Sequence, residues 1–333
     1  MQKILVTIPK GIVRDTFIPP ETAAHLAELG EVSWNETDRQ LMPEELRDRL
    51  PGVEVLVTGW GTASLTEEVL AKADALKIVA HTGGTVAGLT PFSVFEQEIR
   101  VLSGNDIYAE SVAESVIAYA LTALRDIPKF QEQLLRDGWS EPGWYNEGLL
   151  EQPVGLIGFG AVARHTVKML APFHTPIKVW ADFLTPADEA QWGIQKATAE
   201  EVFTTCKVIS LHTSLTPETF HSIDRRLLEM IPDGAVFINT ARGKIIDEAA
   251  LTEELKKQRF KAVLDVYEQE PLPMDSGLRG LPNVTLIPHM GGPTIDRRKA
   301  VTECLISEIR RIDAGEEPQR LEISREAAAR MTR

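Results

Sequence analysis

The chain has 333 residues, 43% of them hydrophobic and 25% charged, and a formal net charge of −14. That length suits two domains better than one core, and the composition is that of a globular protein. The acidity argues against a nucleic-acid partner, which would want a basic stripe, but leaves an anionic small molecule open because a site's local field can oppose the net charge.

Lys3-Ile4-Leu5-Val6-Thr7-Ile8 reads as a strand and not as a signal peptide, and no apolar run approaches membrane-spanning length. Cys206 and Cys304 are far apart and lack metal-ligand spacing, so they read as small buried hydrophobes in a reducing compartment. The expectation is a cytoplasmic protein with no metal, no nucleic acid and no membrane partner.

Residues 1–104 alternate strand and helix. Stretches 4–8, 32–34, 53–58, 76–80 and 101–102 read as strands, and 23–29, 43–50 and 65–73 as helices, a doubly wound unit without a phosphate loop of its own. One long helical pattern covers 107–124. Residues 138–150 are irregular and read as a connection or protruding arm, with Trp139 and Trp144 packed on the body or on a second subunit.

A second alternation starts at Val154. The apolar run 154–157 breaks into Gly158-Phe159-Gly160-Ala161-Val162-Ala163, a G-x-G-x-x-A turn, and then into a helical pattern from 162 to 170. Gly158 permits the tight turn, Gly160 lets backbone approach a pyrophosphate, and Ala163 is small enough for helix to pack on strand. The positive end of the helix then faces the phosphates. The next apolar run, 177–181, ends at Asp182, where a carboxylate would meet an adenosine ribose. Further strands are expected at 207–211, 235–239, 261–266 and 284–287. A helical pattern runs from 293 to about 312, and 322–331 offers a last helix.

In an open parallel sheet the carboxyl ends of all strands share one edge, and ligands bind there. The third strand of this second unit ends in His212-Thr213-Ser214 and the fourth in Asn239-Thr240-Ala241-Arg242-Gly243. The fifth carries Asp265 and leads to Glu270, and the sixth ends in Pro288-His289-Met290-Gly291-Gly292. Topology therefore gathers Arg242, Asp265, Glu270 and His289. An Arg fork can hold a carboxylate and touch the adjacent carbonyl oxygen. A His can exchange a proton with an alkoxide at neutral pH, and a neighbouring Glu fixes its ring and favours its charged form. Gly291 and Gly292 leave room for a cofactor ring. Taken singly, Arg242 and Glu270 could be surface charges, His289 a structural hydrogen-bonder and Asp182 a helix cap. Their shared placement beside a dinucleotide turn favours the functional reading.

These stretches (158–163 with Asp182, 212–219, 239–243, 265–271 and 288–292) resemble the D-isomer-specific 2-hydroxyacid dehydrogenase family, which includes D-lactate, phosphoglycerate and glyoxylate/hydroxypyruvate enzymes. The resemblance covers most of 105–292 and is thinner in 1–100. It implies that Arg242 anchors substrate, that His289 is the acid/base with Glu270 as partner, and that Asp265 holds the nicotinamide carboxamide. Tyr108 falls where the family contacts cofactor from the hinge helix. With it, Gly158, Phe159, Gly160, Ala161, Val162, Asp182, His212, Thr213, Thr240, Ala241, Asp265 and Gly291 are assigned to NAD. His81-Thr82-Gly83-Gly84-Thr85 falls where the family holds the substrate carboxylate on backbone N–H groups. Two glycines at a strand end can form such a nest, although a plain tight turn is the alternative, so Thr82, Gly83 and Gly84 are assigned to substrate. His81 is unusual at its place, Ala163 replaces the common third glycine, and Ala161 stands where a basic residue is frequent.

The expectation is therefore an α/β protein of two doubly wound parallel-sheet domains with a cleft between them. A flavodoxin-like substrate domain would comprise 1–104 plus 293–333, and a Rossmann NAD-binding domain 105–292. The reaction would be hydride transfer between NAD(H) and a small 2-oxo or 2-hydroxy acid, in a homodimer by resemblance. Trp60 and Met290 are candidates for an apolar substrate pocket, and Lys10 and Arg14 for a phosphate. Two alternatives are a formate dehydrogenase, in which a Gln holds the place of Glu270, and an NAD-sensing corepressor-like protein with vestigial chemistry.

Overall fold

Strands that carry apolar residues on both faces belong inside a parallel sheet covered by helices on either side. Five such strands occupy the first part of the chain: β1 (Gln2–Val6), β2 (Gly30–Trp34), β3 (Val55–Thr58), β4 (Ile78–His81) and β5 (Arg100–Ser103). They pair in parallel in the order β2-β1-β3-β4-β5, the flavodoxin-like order. Successive residues alternate between two cores. Ile4, Val6, Val57, Ile78 and Ala80 meet Phe17 and Leu26 on one face, together with Val301, Leu305, Ile306 and Ile309 of helix Arg298–Asp313. Leu5, Leu56 and Val79 meet Leu46, Leu50 and Val69 on the other. The last segment rejoins this sheet, where Ser103 N–H donates to the Leu321 carbonyl at 2.9 Å.

The second sheet has seven strands: β6 (Val154–Ile157), β7 (Ile177–Trp180), β8 (Gln195–Lys196), β9 (Val208–Leu211), β10 (Val236–Asn239), β11 (Lys261–Leu264) and β12 (Val284–Leu286). All pair in parallel in the order β12-β11-β10-β9-β6-β7-β8. Strand order reverses between β6 and β9, which is the switch point of a Rossmann sheet. On one face Leu156, Val179 and Ile238 pack with Ala163, Val167 and Leu170 of helix Ala161–Leu170. On the other, Leu211, Phe237 and Leu264 pack with Val202, Phe203 and Leu251. The α/β class with two parallel sheets is as expected from the sequence.

The computed structural model describes residues 2–139 and 146–331. By contacts the chain forms two units, Met1–Ala109 with Pro293–Arg333, and Glu110–Gly292.

Several elements differ from the sequence reading. Short helices Ile12–Phe17 and Phe92–Glu96 and the two-residue β8 are too short to show a period, whereas helix Ile127–Asp137, absent from the sequence reading, does carry apolar residues at helical spacing. The helix expected at 65–73 shrinks to Glu67–Leu70, started by the Thr66 side chain accepting from Val69 N–H. Helix Asn105–Leu124 corrects the statement that no apolar run nears membrane-spanning length, because it is long and apolar enough by composition. Its Val116, Ala120, Ala123 and Leu124 are packed in the second unit's core. Of the tryptophan pair, Trp139 is exposed and Trp144 lies outside the described residues.

Candidate active site

The glycine turn of the second unit has the geometry its sequence asks for. Gly158 has φ +92°, and a Cβ there would lie 2.8 Å from the Thr213 nitrogen and 2.9 Å from the His212 carbonyl oxygen, so no side chain fits. A Cβ on Gly160 would meet nothing within 4 Å. Helix Ala161–Leu170 begins at Gly160 with no side-chain cap, leaving the first-turn N–H groups, those of Ala161 and Val162 included, for an external acceptor. Ala163 is fully buried against the sheet, as a small residue must be. The Phe159 side chain is also core, edge-on to Trp192 with ring centroids 5.7 Å apart, so only its backbone is available to a ligand.

Asp182 follows β7 and is exposed, and its carboxylate has no partner among the described residues. It is not a helix cap, since Thr185 caps helix Pro186–Trp192. At the end of β9, both ring nitrogens of His212 are shut off from solvent without a hydrogen bond, and burial pushes its protonated form down to about 3. The Thr240 hydroxyl after β10 is likewise enclosed and unpartnered. Enclosed polar atoms of this kind call for a partner that the protein does not itself provide.

The β10 turn is held by Asn239, whose amide oxygen accepts from Ala241 N–H and whose amide nitrogen donates to the Arg242 carbonyl, both at 3.0 Å. Arg242 follows, with Nη1 donating to the Ala241 carbonyl at 2.7 Å. Burial lowers its pKa and the Glu270 charge opposes the shift. At any working pH it stays a cation. A Cβ on Gly243 would lie 1.8 Å from the Tyr267 carbonyl carbon, so the β10 and β11 turns touch backbone to backbone.

Glu270 is fixed twice. One oxygen accepts from Tyr267 N–H at 3.1 Å and the other lies 2.7 Å from Nδ1 of His289. Asp265, buried, accepts from Met290 N–H at 2.6 Å and Gly291 N–H at 2.8 Å. Burial raises its pKa, and these two N–H bonds and the His289 charge oppose the rise. Asp265 therefore pins the turn just beyond His289, and a Cβ on Gly291 would lie 2.7 Å from Asp265 Oδ2. His289 itself has φ +52°, a left-handed conformation unfavourable for a side chain with a Cβ and found where structure is over-determined. Arg242, Asp265, Glu270 and His289 thus stand within electrostatic reach of one another, as the strand-end argument expects.

In the first unit, Thr82 N–H and Oγ1 both donate to the Thr58 carbonyl, at 2.9 and 3.0 Å. The carbonyls of Gly83 and Gly84 accept from Ser103 Oγ at 3.1 and 3.2 Å. The N–H groups of Gly83 and Gly84 have no partner among the described residues. That is the donor set of an anion-binding nest. Tyr108 packs its ring on Gly84, where a Cβ would lie 3.0 Å from the ring, and stands edge-on to Trp60 at 6.3 Å. Arg298, absent from the sequence reading, lies over both Phe17 and Trp60, 5.5 and 5.3 Å from the ring centroids. A cation in an amphipathic helix reads as solvated, so no sequence signal marks it. Lys10 and Arg14, candidates for a phosphate, have partners within the chain. Lys10 pairs with Glu36 at 2.7 Å, and Arg14 donates to the Asn35 carbonyl and lies over Trp34. Met290 is exposed.

The NAD-binding domain model of the D-isomer specific 2-hydroxyacid dehydrogenases matches residues 117–291. The chain belongs to that family. It is 32% identical over 320 residues to D-3-phosphoglycerate dehydrogenase of Methanocaldococcus jannaschii, an alignment covering 95% of this chain and 58% of that protein. It is also 32% identical over 277 residues to hydroxypyruvate reductase of Thermotoga maritima, covering 82% and 89%. Among solved structures it resembles an acyclic imino acid reductase in complex with NADPH and D-Arg, with 25% identity, a TM-score of 0.77 and coverage of 97% and 100%. The chain spans 58% of the length of the phosphoglycerate dehydrogenases it matches. Family membership makes the Rossmann unit an NAD-binding domain.

Proposed function

We propose that the protein interconverts a small 2-oxo acid and its 2-hydroxy acid with NAD(H). In this reading residues 1–104 plus 293–333 form the substrate domain and 105–292 the cofactor domain. The residues present fit the cofactor: an open approach at Gly160, uncapped helix N–H groups after it, an unpartnered carboxylate at Asp182, and enclosed polar atoms at His212 and Thr240 awaiting a partner. Thr213 and Ala241 would contribute backbone beside them, Gly291 would leave space for the ring, and Tyr108 would border both ligands. Asp265 would use remaining lone pairs for the carboxamide.

Bound NADH supplies the hydride. Arg242 holds the substrate carboxylate and its fork polarises the adjacent carbonyl, and the free N–H groups of Gly83 and Gly84 in the substrate domain are donors for the same kind of anion. Glu270, oriented by Tyr267 N–H, accepts from Nδ1 of His289 and so leaves Nε2 to exchange the proton with the substrate oxygen. In reduction His289 begins protonated and ends neutral; in oxidation the order reverses.

The observation that carries this reading is the Glu270–His289 pair at 2.7 Å. Formate oxidation places no proton on a substrate oxygen and has no use for such a pair, and a sensor needs no acid/base. A panel of 2-oxo acids with NADH, followed by absorbance, tests it, and absence of turnover across the panel overturns it. We also propose a homodimer in the cytoplasm. Supporting the dimer, helix Ile127–Asp137 exposes Ile127, Leu134 and Leu135, with Trp139 just beyond it.

A further inference from the structure

His81 ends β4 immediately before the glycine nest, and it is buried. Its Nδ1 lies 2.9 Å from the Thr58 hydroxyl oxygen. The other edge of the ring faces the loop, since a Cβ on Gly83 would fall 2.3 Å from Nε2. Burial holds its protonated form down to about 4, and the Thr85 backbone beside the ring opposes that shift, as a carbonyl facing a ring N–H does.

A neutral imidazole has one donor and one acceptor. The Thr85 carbonyl can only accept, so it takes the ring N–H at Nε2, and Nδ1 must then accept the Thr58 hydroxyl proton. Both nitrogens are used and the tautomer is fixed. Residues 82–85 are wrapped round this ring and tied at the start by Thr82 to the Thr58 carbonyl. From the far side, Gly104 N–H donates to the carbonyls of His81 and Gly83 at 3.0 and 3.1 Å, and Ser103 Oγ to those of Gly83 and Gly84. With the carbonyls turned inward and bound, the N–H groups of Gly83 and Gly84 are left over.

We propose that His81 is a positioning residue for substrate. Its neutral ring bridges Thr58 to Thr85 and holds the 82–85 backbone in the conformation that presents two adjacent N–H donors to the carboxylate. The proposal rests on the dehydrogenase reading for the identity of the anion, and on these contacts alone for the role of the ring.

The test uses the full chain. His81→Phe keeps ring volume and loses both hydrogen bonds, so KM for the best 2-oxo acid should rise at least tenfold while the Kd for NADH, read by fluorescence, stays within twofold. His81→Gln places an amide nitrogen near the position of Nε2 and should recover most of the loss. His81→Asn reaches only toward Thr58 and should not. Long-range ¹H–¹⁵N spectra of the wild type should show His81 neutral and protonated at Nε2 between pH 5 and 8. If His81→Phe does not fold, Thr58→Val, which frees the tautomer, should raise KM in the same selective way. An unchanged KM, a parallel loss of NADH affinity, a Gln variant no better than Phe, or an Nδ1-protonated ring overturns the proposal. A wild type that reduces no 2-oxo acid instead defeats the dehydrogenase reading and leaves the spectroscopic result to decide the tautomer by itself.

Discussion

His289 Nδ1 and Glu270 Oε2 are 2.7 Å apart, and the other Glu270 oxygen is held by the Tyr267 N–H, so the carboxylate can turn away from neither. Glu270→Gln keeps the shape and removes the charge that faces Nδ1 of His289. Turnover in reduction near neutral pH should fall by about ten- to a hundredfold, while NADH affinity stays near its wild-type value. Steady-state kcat and a fluorescence titration of NADH decide it, and an unchanged kcat removes Glu270 as partner.

Arg242 is fixed by its own turn through Asn239 and the Ala241 carbonyl. Arg242→Ala should raise KM and lower kcat together, since carboxylate binding and carbonyl polarisation are lost at once. Arg242→Lys should recover only part, because a point charge does not reproduce the fork. NADH affinity should hardly change. Near-normal turnover in the Ala variant would take Arg242 out of the site.

Asp182 should accept from the ribose hydroxyls and repel a 2′-phosphate. Residues 183–188 contain no Arg, and the Lys196 ammonium is bound to the carbonyls of Asp182 and Leu184. NADH should exceed NADPH by at least about tenfold in kcat/KM, or about 1.4 kcal/mol. Equal use of both cofactors would contradict it.

Stability should depend on pH through two buried rings. Burial holds His81 to about 4 and His212 to about 3, below the free value of about 6.5. Between those folded values and the free one the unfolded chain binds more protons. Stability is therefore full above about pH 6.5 and is lost as pH falls toward 4, by up to about 1.4 kcal/mol per pH unit for each ring. Urea midpoints at pH 7 and pH 5.5 should differ accordingly, and His212→Gln should flatten the dependence. An unaltered slope in that variant would show His212 to be protonated when folded.

The apolar side chains at and beyond helix Ile127–Asp137 give the dimer its test. Leu135 is 81% exposed and Trp139 82%, so neither supports the fold of its own unit. Leu135→Glu should halve the mass seen in sedimentation while leaving the thermal transition of each unit near its wild-type value. A wild type that sediments as a monomer ends the proposal.

Local chemistry made much of this legible from sequence. Gly158, Gly160 and Ala163 act within one strand-turn-helix, and Arg242, Glu270 and His289 are brought together by the rule that parallel strands share a carboxyl edge. What stayed hidden depends on how separate turns meet. The reach of Asp265 to the backbone of Met290 and Gly291, the Asn239 staple, and the backbone contact that requires Gly243 involve partners whose register no single segment carries. The partners of Lys10 and Arg14 were hidden for the same reason, because a cation's partner is a matter of tertiary placement. His81 was visible as an oddity, but its burial was not.

Val301, Leu305, Ile306 and Ile309 complete one face of the first sheet, yet they are synthesised only after the whole of Glu110–Gly292. At about 5–20 residues per second that interval lasts some ten to forty seconds. On the ribosome the first unit must wait through it with the face of Ile4, Val57 and Ile78 only partly covered, by Phe17 and Leu26, while the second unit already has every strand it needs. The domain begun first is finished last, and during that delay the nascent chain has its greatest need of a chaperone.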